Sequence, residues 1–397
     1  MKPSRYNHLI RRRSRPQMLY NCVRRSFLPL DQVQAAIYGG LQMPITRNLM
    51  NFKDPAVEQT VQLLTEGGFL AGEQADEMQE LELASNLFRF SPRRLDLWIG
   101  LTTRCDQNCP GCPYREKAQD LGPRAVEVIK SLVLERPGLK ELSVTFWGGE
   151  PSLAWPLALE LKEWLDEACR KLNARAVYHV ITNGGPDHLP VILKDKQNRP
   201  DLMFINLGSG ETVNDPSLRA VYLTSLAGLE GNSNKLPPSA AIKLIPGKPS
   251  EKLCRNLAGF CQSAPRFSDD ETDVLKGLVN SGFEVLNLPR PKPVCCQAAD
   301  PQSFIVDPEG NLYKCWNDLG RPGNRINENM NDPFSPQLFK WMAWNPYRQQ
   351  HCRICGLLPW CLGGCLAQPP DEDCGLWHYS RSDILKLLAL EHEKRTK

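Results

Sequence analysis

Between residues 95 and 288 the chain repeats one local pattern: a short apolar run, a turn, then an amphipathic stretch. The apolar runs fall at 95–103, 140–146, 176–182, 202–207, 239–245 and 283–288. Helical spacing lies between them at 123–135, 153–173, 216–228, 251–261 and 271–281, while the 186–200 connection has no clear period. Strands that alternate with helices predict a parallel sheet joined by crossovers. Six such units are too few to close an eight-unit barrel. The expected fold class is therefore α/β, with a partial (β/α)6 barrel at its centre.

The 397 residues leave room for more than this barrel. Residues 1–92 read as a small α+β domain, with short apolar runs at 18–23 and 27–30 and helical patterns near 31–40 and 55–66. A Gly67-Gly68 turn into a short strand follows, and then a charged helix or loop near 74–91. The barrel domain is expected over 93–290. After Pro289-Arg-Pro-Lys-Pro, residues 291–397 break into turns, aromatics and cysteines and close on a helix at 381–395.

A formal net charge of +3 does not mark the whole molecule as a nucleic-acid binder, and no nucleic-acid partner is expected. Residues 1–30 carry eight Lys and Arg and no carboxylate, a basic face that is either solvated or a site for an acidic partner. No apolar run has spanning length, so no membrane partner is expected. Arg24-Arg25-Ser-Phe-Leu lacks the apolar core of a twin-arginine signal, because Asp31 and a polar stretch follow it. The expected localisation is cytoplasmic. In that reducing compartment, cysteine arrays mean metal and not disulfides.

Three motifs lie just past the carboxyl ends of the first three strands, where parallel barrels build their sites. The first is Cys105-Asp-Gln-Asn-Cys109-Pro-Gly-Cys112, three thiolates with no local fourth. A cubane iron–sulfur cluster held this way keeps one iron open to a small ligand. Zinc is the alternative, and it wants a fourth ligand that this segment lacks. The second motif is Phe146-Trp-Gly148-Gly149-Glu150-Pro151. Its glycines let a ligand ammonium approach backbone carbonyls, and Glu150 serves either that ammonium or the loop's own amides. The third is Thr182-Asn183-Gly184-Gly185, in which Asn183 can bond a ribose hydroxyl and a carboxylate. Singly, each glycine pair is a turn. Together the three motifs describe a site for S-adenosylmethionine.

A second array runs Cys296, thirteen residues, Gly310, four residues, Cys315, then Cys352-Arg-Ile-Cys355, five residues, Cys361-Leu-Gly-Gly-Cys365 and Cys374. Zinc ribbons pair CxxC with CxxC and do not use this longer series. Cys22, Cys169, Cys254 and Cys261 lie outside both arrays and read as small core hydrophobes.

On these motifs the chain resembles the radical S-adenosylmethionine superfamily, and the second array resembles its SPASM domain in spacing. The resemblance implies a [4Fe–4S] cluster on Cys105, Cys109 and Cys112, its open iron chelated by the methionine amino and carboxyl groups. Gly148, Gly149, Glu150 and Asn183 are the implied S-adenosyl-L-methionine contacts. One-electron reduction would then yield a 5′-deoxyadenosyl radical that abstracts a substrate hydrogen. Cys352, Cys355, Cys361 and Cys374 are implied to hold one auxiliary cluster, and Cys296, Cys315 and Cys365 part of another. The fourth ligand of the latter is either Cys295 or an open iron site. Two departures stand out: Gly111 replaces the usual aromatic before Cys112, with Tyr114 two residues on, and Asn206-Leu-Gly208-Ser209-Gly replaces the common Ser-x-Asp-Gly.

Members of this SPASM subgroup modify peptides and proteins. The expected function is an oxidoreductase that abstracts hydrogen from a residue of a ribosomally made precursor peptide (RiPP maturation), giving a crosslink, an epimer or an excision. A sulfatase-type or other protein-cofactor maturase is the alternative. Sulfatase maturases resemble Gly-x-x-Tyr-Pro-Cys-Asp, whereas Gly310-Asn-Leu-Tyr313-Lys-Cys315-Trp316 has no Asp after the cysteine, although Asp318 is near. The N-terminal domain resembles, in size and pattern, a winged-helix element that grips a leader peptide by strand addition, with arginines suited to acidic residues. The implied partners are a precursor peptide or protein and a one-electron reductant such as flavodoxin or ferredoxin. A non-catalytic iron–sulfur electron carrier is the reading from another class, and it would need neither Gly-Gly-Glu nor Thr-Asn-Gly.

Overall fold

The structure, a computed structural model, describes residues 1–12, 16–107, 112, 114, 118–206, 212–213, 218–224, 229, 236–237, 240–244, 269–327, 335–365 and 381–396. It opens with β1 (Lys2–Pro3) and an antiparallel meander of β2 (Asn7–Ile10), β3 (Gln17–Asn21) and β4 (Ser26–Leu30). Helices α1 (Gln32–Gln42), α2 (Pro44–Leu49) and α3 (Pro55–Glu66) follow, then β5 (Leu70–Ala71) and α4 (Glu77–Arg89). β5 pairs with β1. Local chemistry sets these starts. Asp31 and Gln34 form a reciprocal capping box on α1, Asp54 with Pro55 begins α3, and Asp76 caps α4. Leu19, Leu30, Tyr38, Leu41, Leu64 and Phe69 close a small core between sheet and helices. Within this region α2 is an element that the sequence pattern does not signal.

Among the described residues the central sheet has nine strands. β6 (Arg94–Thr102), β7 (Glu141–Gly148), β8 (Arg175–Thr182), β9 (Leu202–Asn206), β10 (Arg219–Thr224), β11 (Ala241–Leu244) and β12 (Glu284–Val285) lie parallel and in chain order. Among the described connections are α5 (Pro123–Leu134), α6 (Trp155–Leu172), α7 (Leu189–Leu193) and α8 (Asp269–Asn280). Leu95, Leu97, Ile99 and Leu101 of β6 pack with Ile129, Leu132, Leu161 and Leu165 of the helices. The opposite face carries Trp98, Trp147, Ile181 and Phe204. Both faces of these strands are covered, as expected of parallel sheets.

One expectation is corrected. Residues 216–228 are read from spacing as a helix, but Arg219–Thr224 is a parallel strand between β9 and β11. Val221, Tyr222 and Thr224 favour a pleated, covered surface. Tyr222 faces one cluster while Val221 and Leu223 face another, which is strand alternation in a run too short for periodicity to decide. The described parallel series therefore has seven strands from β6 to β12, not six. The helix expected at 251–261 lies outside the described residues.

The cysteine-rich segment reaches back into this sheet. β13 (Ser303–Val306) pairs parallel with the free side of β6, and β14 (Leu312–Tyr313) pairs antiparallel with β13. At the register pair Asp96↔Ser303, the Ser303 hydroxyl donates to the Asp96 carboxylate at 2.8 Å. Short helices α9 (Pro336–Met342), α10 (Gln350–Arg353) and α11 (Leu358–Cys361) follow, and α12 (Arg381–Arg395) ends at the expected position. The N-terminal unit is built against this segment. Arg89 at the end of α4 donates to the carbonyls of Ala299 (3.0 Å), Met342 (3.0 Å) and Trp344 (3.2 Å). His8 and the Cys22 thiol both reach the Gly356 carbonyl, at 3.1 and 3.2 Å. Tyr6, Tyr20 and Cys22 share one core with Leu358 and Trp360. Among the described residues no helix is long and apolar enough to cross a membrane.

Candidate functional site

The loops after β6, β7 and β8 meet at the carboxyl end of the sheet. Their meeting point is built on backbone contact. The Gly149 N–H donates to the Thr102 carbonyl and the Glu150 N–H to the Arg104 carbonyl, both at 2.8 Å. A Cβ added at Gly148 would fall on the Thr102 carbonyl oxygen, and one at Gly149 on the Arg104 carbonyl oxygen. The glycine pair thus lets the second loop lie directly on the strand end that leads into Cys105. Arg104 is fixed in turn by Asp120, at 2.9 and 2.8 Å, and donates to the Leu153 carbonyl at 2.6 Å.

Glu150 is fully buried. Its carboxylate accepts from the Thr182 hydroxyl (3.0 and 3.1 Å), the Asn183 N–H (2.7 Å) and the Ser152 N–H (3.1 Å). Of the two roles open to it in the sequence, service to the loops' own amides is the one seen here. The bonds also fix Asn183, whose Nδ2 donates to the Cys105 Sγ at 3.3 Å and to the Asp106 Oδ1 at 3.4 Å. Donation from Asn183 and from the Gln107 N–H, at 3.4 Å, is suited to a thiolate. In the free thiol, burial outweighs these donors and raises its pKa.

His188 is the functional side chain that the sequence does not disclose. It lies in the 186–200 connection, with no spacing relation to any motif. Its Nδ1 is 2.8 Å from the Ser152 Oγ and its Nε2 3.0 Å from the Asp106 Oδ2. The ring therefore links loops from three successive strands. Partial burial would raise the Asp106 pKa, but the His188 bond and charge reverse this and hold it below the usual carboxylate value.

Next to these loops, the aromatic face of the sheet leads toward the second array. Tyr114 packs on Trp147 with ring centroids 6.2 Å apart, and Trp147 meets Trp316 edge-on at 5.1 Å. Trp316 follows Cys315 directly. The Tyr114 hydroxyl and the indole N–H groups of Trp147 and Trp316 are buried without a hydrogen-bond partner among the described residues.

In the second array, the Cys296, Cys315 and Cys365 thiols lie within Coulomb range of one another. Cys295 donates to Cys296 and so lowers the Cys296 pKa, while burial pushes Cys315 up to about 12. Cys355 lies beside Cys22, and its Sγ accepts from the Leu357 N–H at 3.3 Å. Cys352 and Cys355 share one turn, joined by a 3.1 Å backbone bond. Cys109 and Cys374 lie outside the described residues, as do Cys254, Cys261, Leu207, Gly208 and Ser209. Cys22 and Cys169 are buried, as expected of core residues. Among the described residues no three His, Cys, Asp or Glu side chains converge on a single ion position. The donors are soft thiols with amide and N–H donors around them, a set that suits iron–sulfur ligation.

Asp318, near Cys315 in sequence, is buried and engaged by Asn324 (2.6 Å) and Lys340 (3.5 Å).

No family model and no curated protein matches the chain. Among solved structures it is similar to native anSMEcpe with bound AdoMet, at 16% identity and a TM-score of 0.48, over 76% of this chain and 100% of that one. It is also similar to Streptococcus suis SuiB bound to precursor peptide SuiA, at 14% identity and a TM-score of 0.45, over 94% of this chain and 100% of that one. Streptococcus suis SuiB bound to S-adenosylmethionine matches at 15% identity and a TM-score of 0.44, over 95% of this chain and 100% of that one.

Proposed function

We propose that the chain is a radical S-adenosylmethionine enzyme of the SPASM subgroup that modifies a residue of a ribosomally made peptide. The observation that carries this reading is the contact between Asn183 and the Cys105 sulfur. Motifs 78 residues apart meet there within 3.3 Å, at the end of the sheet where such sites form. Cys105, Cys109 and Cys112 would hold a [4Fe–4S] cluster. When bound, that cluster supplies the electron that cleaves S-adenosylmethionine and so starts hydrogen abstraction.

The chain's own residues hold the loops in register. Glu150 orders the second and third loops, and Asn183 donates to the first. Gly148, Gly149 and the Asn183 side chain are the groups we assign to the amino acid and ribose of S-adenosylmethionine. Cys296, Cys315 and Cys365 would hold one auxiliary cluster, and Cys352, Cys355, Cys361 and Cys374 the other. The thiol contact between Cys295 and Cys296 supports Cys295 as the remaining ligand of the former.

A peptide partner is supported by the outer edge of β4, which pairs only with β3 among the described strands. Main-chain bonding there would add a strand beside α1, in the manner of a winged-helix-like leader grip. Pro29 removes one donor from that strand, and an edge tolerates this when the missing N–H faces outward. A flavodoxin- or ferredoxin-like protein would supply the electron in the cytoplasm. The engagement of Asp318 by Asn324 and Lys340 weighs against the sulfatase-type alternative, in which that residue would act as a base.

The test is formation of 5′-deoxyadenosine by anaerobically reconstituted protein given S-adenosylmethionine and dithionite. Product in the wild type that is lost in Cys105→Ala supports the reading. Equal product from both proteins would end it.

A further inference from the structure

We infer that Lys314, Lys292 and Arg89 form a fixed positive shell around the auxiliary site at Cys295, Cys296 and Cys315, and that this shell raises the reduction potential of the cluster held there. The inference rests on the function proposed above and concerns residues outside both cysteine motifs.

Lys314 is 1% exposed, among the most buried large side chains of the chain. It alternates with its neighbours along the strand end: Tyr313 joins the aromatic face, and Lys314 points away from it. Its ammonium donates to the carbonyls of Asp300 and Ser303 and lies 4.6 Å from the Phe304 ring centroid. It makes no ion pair among the described residues, since the Asp300 carboxylate is engaged by Arg94 at 3.0 Å. Arg89 is 6% exposed and its guanidinium is spent on three carbonyls, one of them in the turn that follows Cys296. Lys292 donates to the Cys295 carbonyl at 2.7 Å.

A buried cation is costly unless opposite charge lies near, and carbonyl dipoles compensate it only in part. Cys296 lies within Coulomb range of Lys314 and Lys292, and Cys295 within range of Arg89 and Lys292. The nearby carboxylates are Asp300, which Lys314 and Arg89 share with Arg94, and Asp96 beside Lys314, and neutral thiols add little to them for Lys314, Arg89 and the half-buried Lys292. A thiolate-ligated cluster carries net negative charge, so it compensates them. That cluster gains a further negative charge when it takes up an electron. Fixed positive charge therefore stabilises the reduced form more than the oxidised form, and net charge is one of the factors that sets iron–sulfur potentials. The chain thus equips this cluster to accept an electron.

The experiment is an anaerobic redox titration of full-length reconstituted protein, followed by electron paramagnetic resonance, with iron per chain measured alongside. Lys314→Met keeps the side-chain length and removes the charge. At the wild-type midpoint, the oxidised-to-reduced ratio of this cluster should rise about tenfold, a shift of about 59 mV to more negative potential for one electron. Iron content should stay unchanged, and Lys314→Arg should restore the midpoint. An unmoved midpoint with full iron in Lys314→Met would overturn the inference. If that variant loses iron or fails to fold, Lys292→Met decides, with the same direction expected and an unmoved midpoint again fatal. Wild-type iron that Cys296→Ala does not lower would instead overturn the parent reading, because no cluster would then sit at this site.

Discussion

His188 and Asp106 are joined at 3.0 Å, and through this pair the loop carrying Cys105 is tied to the loop after β8. With Ser152 at 2.8 Å on the other ring nitrogen, the three side chains follow the order of a hydrolytic triad. Ser152 is buried, and its hydroxyl is engaged by the His188 ring. The geometry is therefore a brace. It holds the first motif at the distance where Asn183 meets the Cys105 sulfur.

Removal of that brace should be visible in both stability and metal retention. His188→Ala leaves Ser152 and Asp106 without their ring partner, at a cost of about 1–3 kcal/mol. A lower denaturation midpoint and less iron after gel filtration are expected, with partial rescue by His188→Gln. Unchanged values of both in the alanine variant would refute the brace.

The close approach at the second motif makes a steric prediction. Gly149→Ala places a methyl on the Arg104 carbonyl oxygen, and backbone on both sides leaves no flexible group to yield. Soluble protein with wild-type iron at the first cluster is not expected from this variant. Gly138→Ala, where nothing lies within 4 Å of the added carbon, is the matched control and should behave as wild type.

Glu150→Gln replaces a buried acceptor of three donors by an amide that must turn its own NH2 toward some of them. The expected loss is about 2 kcal/mol or more in urea unfolding, because bonds to a charged group are the stronger kind. A variant as stable as wild type would show that the carboxylate does not hold the loops.

His8 gives a pH dependence. Burial, followed by the Arg381 charge, lowers its pKa from 6.5 to about 4. The unfolded chain therefore binds a proton that the folded chain refuses in the window between these values. Stability from this group is complete above pH 6.5 and is lost as pH falls toward 4. Between pH 7 and pH 5 the loss is ~2 kcal/mol. His8→Gln should flatten that part of the stability curve, and a parallel curve would count against the assignment.

The cysteine spacings and the strand–helix alternation were legible because each is local: ligand spacing and apolar period repeat within a few residues. β10 was not, since Arg219–Thr224 is short and both of its faces are covered, so alternation and helical period look alike. The pairing of β13 with β6 joins residues more than two hundred positions apart, and no local pattern encodes such a partner. His188 escaped for a related reason. A single histidine in an irregular connection acquires meaning only when Asp106 and Ser152 are folded against it. Glu150 was named, but only the packed structure distinguishes a carboxylate used on loop amides from one turned to a ligand.

The parallel seam between Leu97 and Phe304 sets an order of events during synthesis. β6 emerges early, while the strand that covers its open side follows 207 residues later. At ribosomal rates of about 5–20 residues per second, that edge stays uncovered for roughly 10–40 s. For that interval the nascent chain has an exposed, apolar strand margin beside Cys105, Cys109 and Cys112. Cys105, Cys109 and Cys112 are thus made well before β13, whereas Cys315 and the cysteines after it follow β13 in the chain.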